Sequence, residues 1–255
     1  MRIHWKFTIV LMAAAAAIPA CSGPNANVAG QPGSANRAQQ PIYDCRPATG
    51  TIVVDGAIDE PAWQNAPFSD VFLCDTFAVA AGKARQLPDK LTTRMKTLYD
   101  SANLYVAIEC EDSDIWASFA KHDDPIHFEK AALLNLDPLG NGRDYYGIYV
   151  NPLNAVLDLR SIGGRGQVSR KRWMESIRWN AKGVEHAVKV DGTINRRDDV
   201  DNKWTVELRV PFDDLGVRPM QGDTWRVNVG RMDYWLGSII VSSWASAEFG
   251  TLVFK

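Results

Sequence analysis

Three histidines lie beyond the first twenty residues, His122, His127 and His186, and neither a Gly-x-Ser-x-Gly elbow nor a Cys/His nucleophile arrangement accompanies them. Covalent acyl-transfer chemistry therefore has no visible machinery. The run His122-Asp-Asp-Pro-Ile-His127 holds two imidazoles and two carboxylates, donor types that suit a divalent metal. Pro125 makes that run a loop, and its spacing matches no standard zinc pattern, so it reads as a solvated turn. The carboxylate pairs Asp112 with Asp114 and Asp198 with Asp199 would serve acid/base chemistry only from a cleft, and as sequence they read as surface turns. Asp137, Asn141 and Asp144 flank a glycine-rich turn with hard oxygen donors, which makes calcium the ion to expect there. No residue is assigned a catalytic role, and the chain reads as a non-enzyme.

Aromatic side chains beside basic ones offer binding chemistry instead. Trp173 and Trp179 follow the basic stretch Arg165, Arg170, Lys171 and Arg172. Apolar sugar faces stack on aromatic rings, and guanidinium groups hydrogen-bond in pairs to hydroxyls or carboxylates. The competing reading is a solvated basic loop with one tryptophan packed on a core. Trp116 and Trp235 follow the same logic. Nucleic acid also fits basic plus aromatic residues, but the chain's compartment and charge argue against it.

The compartment is read from the N-terminus. Arg2 and Lys6 precede an apolar run, Phe7 to Ala17, too short for a permanent membrane span. The run ends in Ile18-Pro19-Ala20-Cys21, which resembles the bacterial lipobox, where the cysteine thiol receives a diacylglycerol before cleavage. The expectation is a signal peptide over residues 1–20 and a cell-envelope lipoprotein anchored to a membrane through Cys21. Apart from Val28, residues 22–41 are Gly, Pro, Ser, Ala, Asn and Gln with the single charge Arg37, too polar to build a core, so residues 21–41 read as a flexible linker. Such a linker spans about 25 Å on average. Without residues 1–20 the chain carries 26 basic against 30 acidic residues, a net charge of about −4, which gives no general attraction to nucleic acid.

Residues 42–255 are enough for one all-β domain with a full core. Cys45, Cys74 and Cys110 remain in a compartment where disulfides persist, and Cys45 with Cys74 is the candidate pair because Cys110 sits inside an apolar run. Short β-branched and aromatic runs alternate with Gly, Pro, Asp and Asn turns throughout. Strands are predicted at 51–54, 71–75, 92–99, 104–111, 131–137, 144–150, 155–159, 185–190, 204–210, 224–232, 238–243 and 249–254. Asp59-Glu-Pro-Ala-Trp63 carries the signals of a short helix that sets Trp63 against a sheet. In Trp204-Thr-Val-Glu-Leu-Arg-Val210 apolar and polar residues alternate, the mark of a sheet with one covered face. The fold class expected is a single antiparallel β-sandwich, jelly-roll-like, with short helical turns.

Several segments, taken in order, resemble the family 9 carbohydrate-binding modules. Ile52-Val-Val-Asp-Gly-Ala-Ile-Asp-Glu-Pro-Ala-Trp63 is similar to the family's opening, and Leu98-Tyr-Asp-Ser-Ala-Asn-Leu-Tyr-Val-Ala107 to its central hairpin. Glu111-Asp-Ser-Asp-Ile115, Leu136-Asp-Pro-Leu-Gly-Asn-Gly142, Gly192-Thr-Ile-Asn195, Trp204-Thr-Val-Glu207, Pro211-Phe212, Trp225-Arg-Val-Asn228 and Ser243-Trp244 through Gly250 continue the match along the domain. The resemblance implies a non-catalytic sugar-binding sandwich, with structural calcium in related modules. It places the sugar platform at Pro125 to Asn135, where His127 or Phe128 stands at the expected tryptophan, Lys130 at an aspartate and Leu133 at a glutamate. Tyr149 falls at the family's arginine. Trp244, in a segment too short for the family's second platform loop, reads as core.

Two functions follow. One is a carbohydrate-binding lipoprotein that works in polysaccharide use beside glycoside hydrolases. The other is a structural or assembly lipoprotein on the same fold that has lost its sugar site. Lys130 and the basic stretch Arg165 to Arg172 point the first toward acidic polysaccharides or oligosaccharides. An exposed aromatic residue in a groove separates it from the second, in which every tryptophan is buried.

Overall fold

The structure, a computed structural model, describes residues 40–74, 91–163, 169–235, 238–243 and 249–255. Cys21, most of the linker, Arg165 and Trp244 lie outside the described residues, as do the side chains of Cys74, Arg170 and Trp235.

Period-two alternation builds two sheets that face one another. β9 (Lys203–Pro211) turns Trp204, Val206, Leu208 and Val210 inward, and all four are buried. β4 (Asn103–Glu111) pairs antiparallel with it, setting Cys110 opposite Trp204 and Ile108 opposite Val206. With β1 (Ile42–Pro47), β3 (Thr93–Tyr99) and β8 (Glu185–Asp191) they give the order β1-β3-β4-β9-β8. The opposing sheet runs β7 (Val156–Ser161), β6 (Tyr145–Val150), β5 (Ala131–Asp137), β10 (Thr224–Trp235), β12 (Gly250–Phe254) and again β1. β11 (Ser238–Ser243) pairs with the far end of β10, and β2 (Leu73–Cys74) pairs with β11. Ala132, Leu134 and Leu136 of β5 and Trp225, Val227 and Val229 of β10 meet the β4 and β9 rows in one core.

β1 joins the sheets and departs from the antiparallel expectation. Ile42 to Cys45 pair in parallel with Thr251 to Phe254, and Arg46 and Pro47 then pair in parallel with Leu98 and Tyr99. Its polar composition hid this strand, while the predicted strand at 51–54 is absent. That stretch instead begins a cover over the outer face of the β3-β4-β9-β8 sheet, in which Ile52, Ala62, Trp63 and Ala66 pack on Leu98, Tyr105 and Ala107. Pro61–Asn65 forms a single 3-10 turn that places Trp63 against the sheet, as the sequence suggests. The cover needs glycine at position 56, where φ is +86° and a Cβ would stand 2.6 Å from the Lys189 backbone nitrogen.

The Cys45–Cys74 disulfide is corrected. Cys45 is a free, buried thiol, and desolvation pushes it up to about 12. Cys45 pairs with Phe254, beside the start of β10, while Cys74 pairs with Ser242, which faces Arg231. About eight residues of β10 separate those levels, roughly 26 Å, against the ~7 Å limit for Cα atoms of a disulfide. The basic loop also gains structure: Arg170–Ser176 is a helix, α1, whose Ser169 side chain accepts the Arg172 N–H. A second short helix, α2 (Phe212–Leu215), ends in Gly216 at φ +67°.

Candidate functional site

At one end of the sandwich the apolar core gives way to four buried charges. Arg231 and Asp233 continue the inward row of β10, Asp112 follows β4, and Lys130 precedes β5; all four are buried. The Lys130 ammonium lies 2.8 Å from Asp112 and 3.1 Å from Asp233. Arg231 binds the same two carboxylates at 2.6 and 2.5 Å and donates to the Glu111 carbonyl. Each cation thus touches both anions, the arrangement that offsets the cost of desolvating them. Burial nonetheless raises the Asp112 carboxyl above its usual range.

A groove of about 350 Å³ opens over this network, lined by Asp114, Trp116, Ser118, Phe119, Phe128, Glu129, Lys130 and Arg197. Its walls are held by side chains that bond to backbone. Asn195, at φ +65°, donates to the Ala117 carbonyl and accepts the Ala117 N–H, and Asp201 accepts the Ile115 and Thr193 N–H groups. These bonds fix Trp116 beside Arg197, whose guanidinium lies 4.9 Å from the ring centroid. Glu129 accepts the Ser118 N–H and hydroxyl at 2.8 Å and the Asn151 amide at 2.7 Å, pinning the opposite segment.

Two aromatic side chains of the groove face solvent: Trp116 is 37% and Phe128 56% exposed. Phe128 ends the 3-10 turn Ile126–Phe128, and its ring is backed by His127 with centroids 4.2 Å apart. His127 in turn meets Trp173 of α1 edge-on at 5.0 Å. Desolvation lowers the His127 pKa, which favours the neutral ring suited to that stack. By contrast Trp63, Trp204 and Trp225 are buried.

The residues singled out from the sequence part company here. Phe128 lines the groove, while His127 and Trp173 stand behind it, and Trp173 also packs against the core beneath α1. Arg172 is exposed on α1. Lys130 reaches the groove but is corrected as a ligand cation, because both carboxylates beneath it already claim its ammonium. Tyr149 is removed from the candidates: its ring is buried in the outer core of the β5-β6-β7 face and its hydroxyl bonds Asn135. Trp179 stacks on Tyr146 at 5.1 Å, outside the groove lining. Asp112 and Asp114 part as well, one in the ion network and the other on the groove, while Asp198 pairs with Arg196 and Asp199 accepts the Thr193 hydroxyl.

Arg197 was missed as a site residue, and Asp114 was weighed only as a carboxylate partner of Asp112. Arg197 lies in the run Arg196-Arg197-Asp198-Asp199, which reads as a solvated turn, and only the Asn195 contacts bring it to Trp116.

The three residues offered to calcium do meet, in the β5–β6 turn, but not as an ion cage. Asp137 accepts the Asn141 and Gly142 N–H groups, and the Asn141 side-chain oxygen accepts those of Arg143 and Asp144. Asp144 accepts from Gly163 and from the Asn141 amide. Every oxygen of the set already accepts a hydrogen bond, so the turn is held by its own donors.

No protein-family model matches the sequence, and none of the curated proteins does. Solved structures do share its architecture. A candidate carbohydrate-binding protein from Bacteroides uniformis superposes with a TM-score of 0.61 at 12% identity, over 85% of this chain and 100% of that one. A family 9 carbohydrate-binding module from Caldicellulosiruptor kristjanssonii in complex with cellotriose gives 0.51 at 14% identity, over 84% and 94%. Its glucose complex gives 0.52 at 14%, over 84% and 96%. The chain therefore has the all-β sandwich fold of those modules.

Proposed function

We propose that this chain is a non-catalytic carbohydrate-binding protein that seats an oligosaccharide in the groove between Trp116 and Phe128. The observation that carries the reading is the pair of solvent-facing rings in one groove, with Arg197, Asp114 and Ser118 at hand for hydroxyl groups. Apolar sugar faces stack on such rings, and exposed polar groups select orientation. The fold shared with modules solved with cellotriose and glucose supports it. A structural role alone predicts no exposed tryptophan, and Trp116 departs from that.

The preference for acidic glycans now rests on fewer groups. Lys130 is neutralised from below, so a uronic carboxylate would meet Arg197, with Asp114 opposing it in the same groove. The expected preference for uronic over neutral glycans is accordingly small. Calorimetry with cello-oligosaccharides and oligogalacturonides should detect saturable binding, and Trp116→Ala should weaken it about tenfold, the truncation cost of an aromatic anchor. The same variant should melt with the parent, since the ring supports no core. Absence of binding to every glycan tested would return the structural reading to the front.

The cellular setting of this reading is the envelope, beside glycoside hydrolases that degrade the glycan it holds. Ile18-Pro19-Ala20-Cys21 supports a lipid anchor at Cys21, with the linker carrying the domain clear of the headgroups. Cys21→Ser should move the protein from the membrane to the soluble fraction with its melting temperature unchanged. A variant that stays in the membrane, with a parent that takes up no fatty-acid probe, would sink the anchor.

A further inference from the structure

Asp158, on β7, is 3% exposed. Its Oδ2 accepts the Ala181 N–H at 2.8 Å, but its Oδ1 is buried and accepts no hydrogen bond. A buried polar atom left unmatched is costly, and burial accordingly raises this carboxyl above its usual range. The group facing Oδ1 is His122, whose Nε2 stands 3.5 Å away. That is longer than the hydrogen bonds proteins make. It is close to the separation of two donors sharing one tetrahedral ion: ligands about 2.1 Å from zinc lie about 3.4 Å apart. Asp123 adds a second carboxylate: its Oδ2 stands 3.4 Å from the other ring nitrogen, Nδ1, which points away from an ion held at Nε2, and its Oδ1 is again buried without a hydrogen bond. One donor atom from each of the three residues lies within 4.8 Å of the other two.

We infer that His122, Asp123 and Asp158 form a binding site for one divalent transition-metal ion of the zinc class. The imidazole selects such an ion over calcium or magnesium, and three protein donors leave a position for water. His122 is about half exposed, which gives the ion a way in. From the sequence the His122 to His127 run reads as a solvated turn; in the fold His122 instead works with a carboxylate from a strand, while His127 is turned into the aromatic stack. An ion here ties the 121–124 loop to β7, and Phe128 of the groove follows six positions after His122. The site therefore braces one groove wall, although metal binding itself does not depend on the sugar-binding reading.

The test uses the full chain in detergent, without a histidine tag, stripped with chelator and titrated with zinc chloride by calorimetry. One ion per chain should bind saturably, and His122→Gln and Asp158→Asn should each weaken binding at least about tenfold. His122 is partly exposed, so His122→Gln should keep the parent's circular dichroism and separate ligand loss from misfolding. His127→Gln should bind as the parent does. Cobalt in place of zinc should give visible absorption bands that His122→Gln abolishes. No saturable zinc binding below about 1 mM, unchanged affinity in His122→Gln, or loss of binding in His127→Gln would each overturn the site.

Discussion

The covered outer face of the β3-β4-β9-β8 sheet and the groove at the end of the sandwich both combine tryptophan with buried carboxylates, yet they handle them differently. On the covered face Trp63 is sealed and its indole N–H donates to Glu207 Oε1 at 2.8 Å. Glu207 receives further N–H groups from Gly56 and Asp55, but among the described residues no cation binds it. Burial first, and then the nearby Glu60 charge, push this carboxyl up to about 7. Under the groove, Asp112 and Asp233 are matched by Lys130 and Arg231, and the tryptophan above stays in water. Dipoles suffice where a cover is to be locked down. A region that must stay open to solvent while burying two acids uses full countercharges.

Deleting one countercharge should produce the larger effect. Lys130→Met leaves two buried carboxylates against one guanidinium, and removing one partner of a buried pair costs about 3–5 kcal/mol. Urea denaturation should show that loss, and glycan binding should weaken with it because the groove floor shifts. A loss below about 1 kcal/mol would mean that the network is solvated, and the contrast with Glu207 would collapse.

The smaller effect is a pH slope on the covered face. Glu207 titrates near 7 in the folded chain, against an ordinary 4.5, so between those values the folded state holds a proton that the unfolded state has released. Stability should therefore fall as pH rises through this window, by at most about 1.4 kcal/mol per unit, and the contribution is lost above the folded value. Glu207→Gln keeps an accepting oxygen and cannot ionise, so its urea midpoint should vary less with pH between 5 and 7 than the parent's. Identical slopes would show that Glu207 is charged in the folded state and that dipoles alone hold it so.

Much of the fold was legible because alternation is local. The inward rows of β4, β5, β9 and β10 each follow from residues two apart, and the Trp63 turn follows from Glu60-Pro61. β1 was illegible because its inward positions are only Tyr43 and Cys45, set between an exposed Ile42 and the charged Asp44 and Arg46, too short and polar a pattern to stand out. Of the site, Phe128 was found through the family resemblance and Trp116 through its aromatic type, but neither consideration told their exposure from that of Trp204.

Residue order alone determined the alternating strands, the turn chemistry between them and the lipobox-like Cys21 segment, because each depends on neighbours a few positions apart. Tertiary structure alone decided which side chains share a site. Arg231 meets Asp112 across 119 residues, His122 meets Asp158 from a neighbouring loop, and Cys45 and Cys74 are kept apart by register along β10. Those outcomes depend on strand order and pairing register, which shift a side chain by about 3.3 Å per residue along a strand and about 4.8 Å from one strand to the next. Steps of that size exceed the reach of a hydrogen bond or a metal ligand, so composition could nominate Lys130, Tyr149 and Trp116 alike. Only the packed sheets left Trp116 in water.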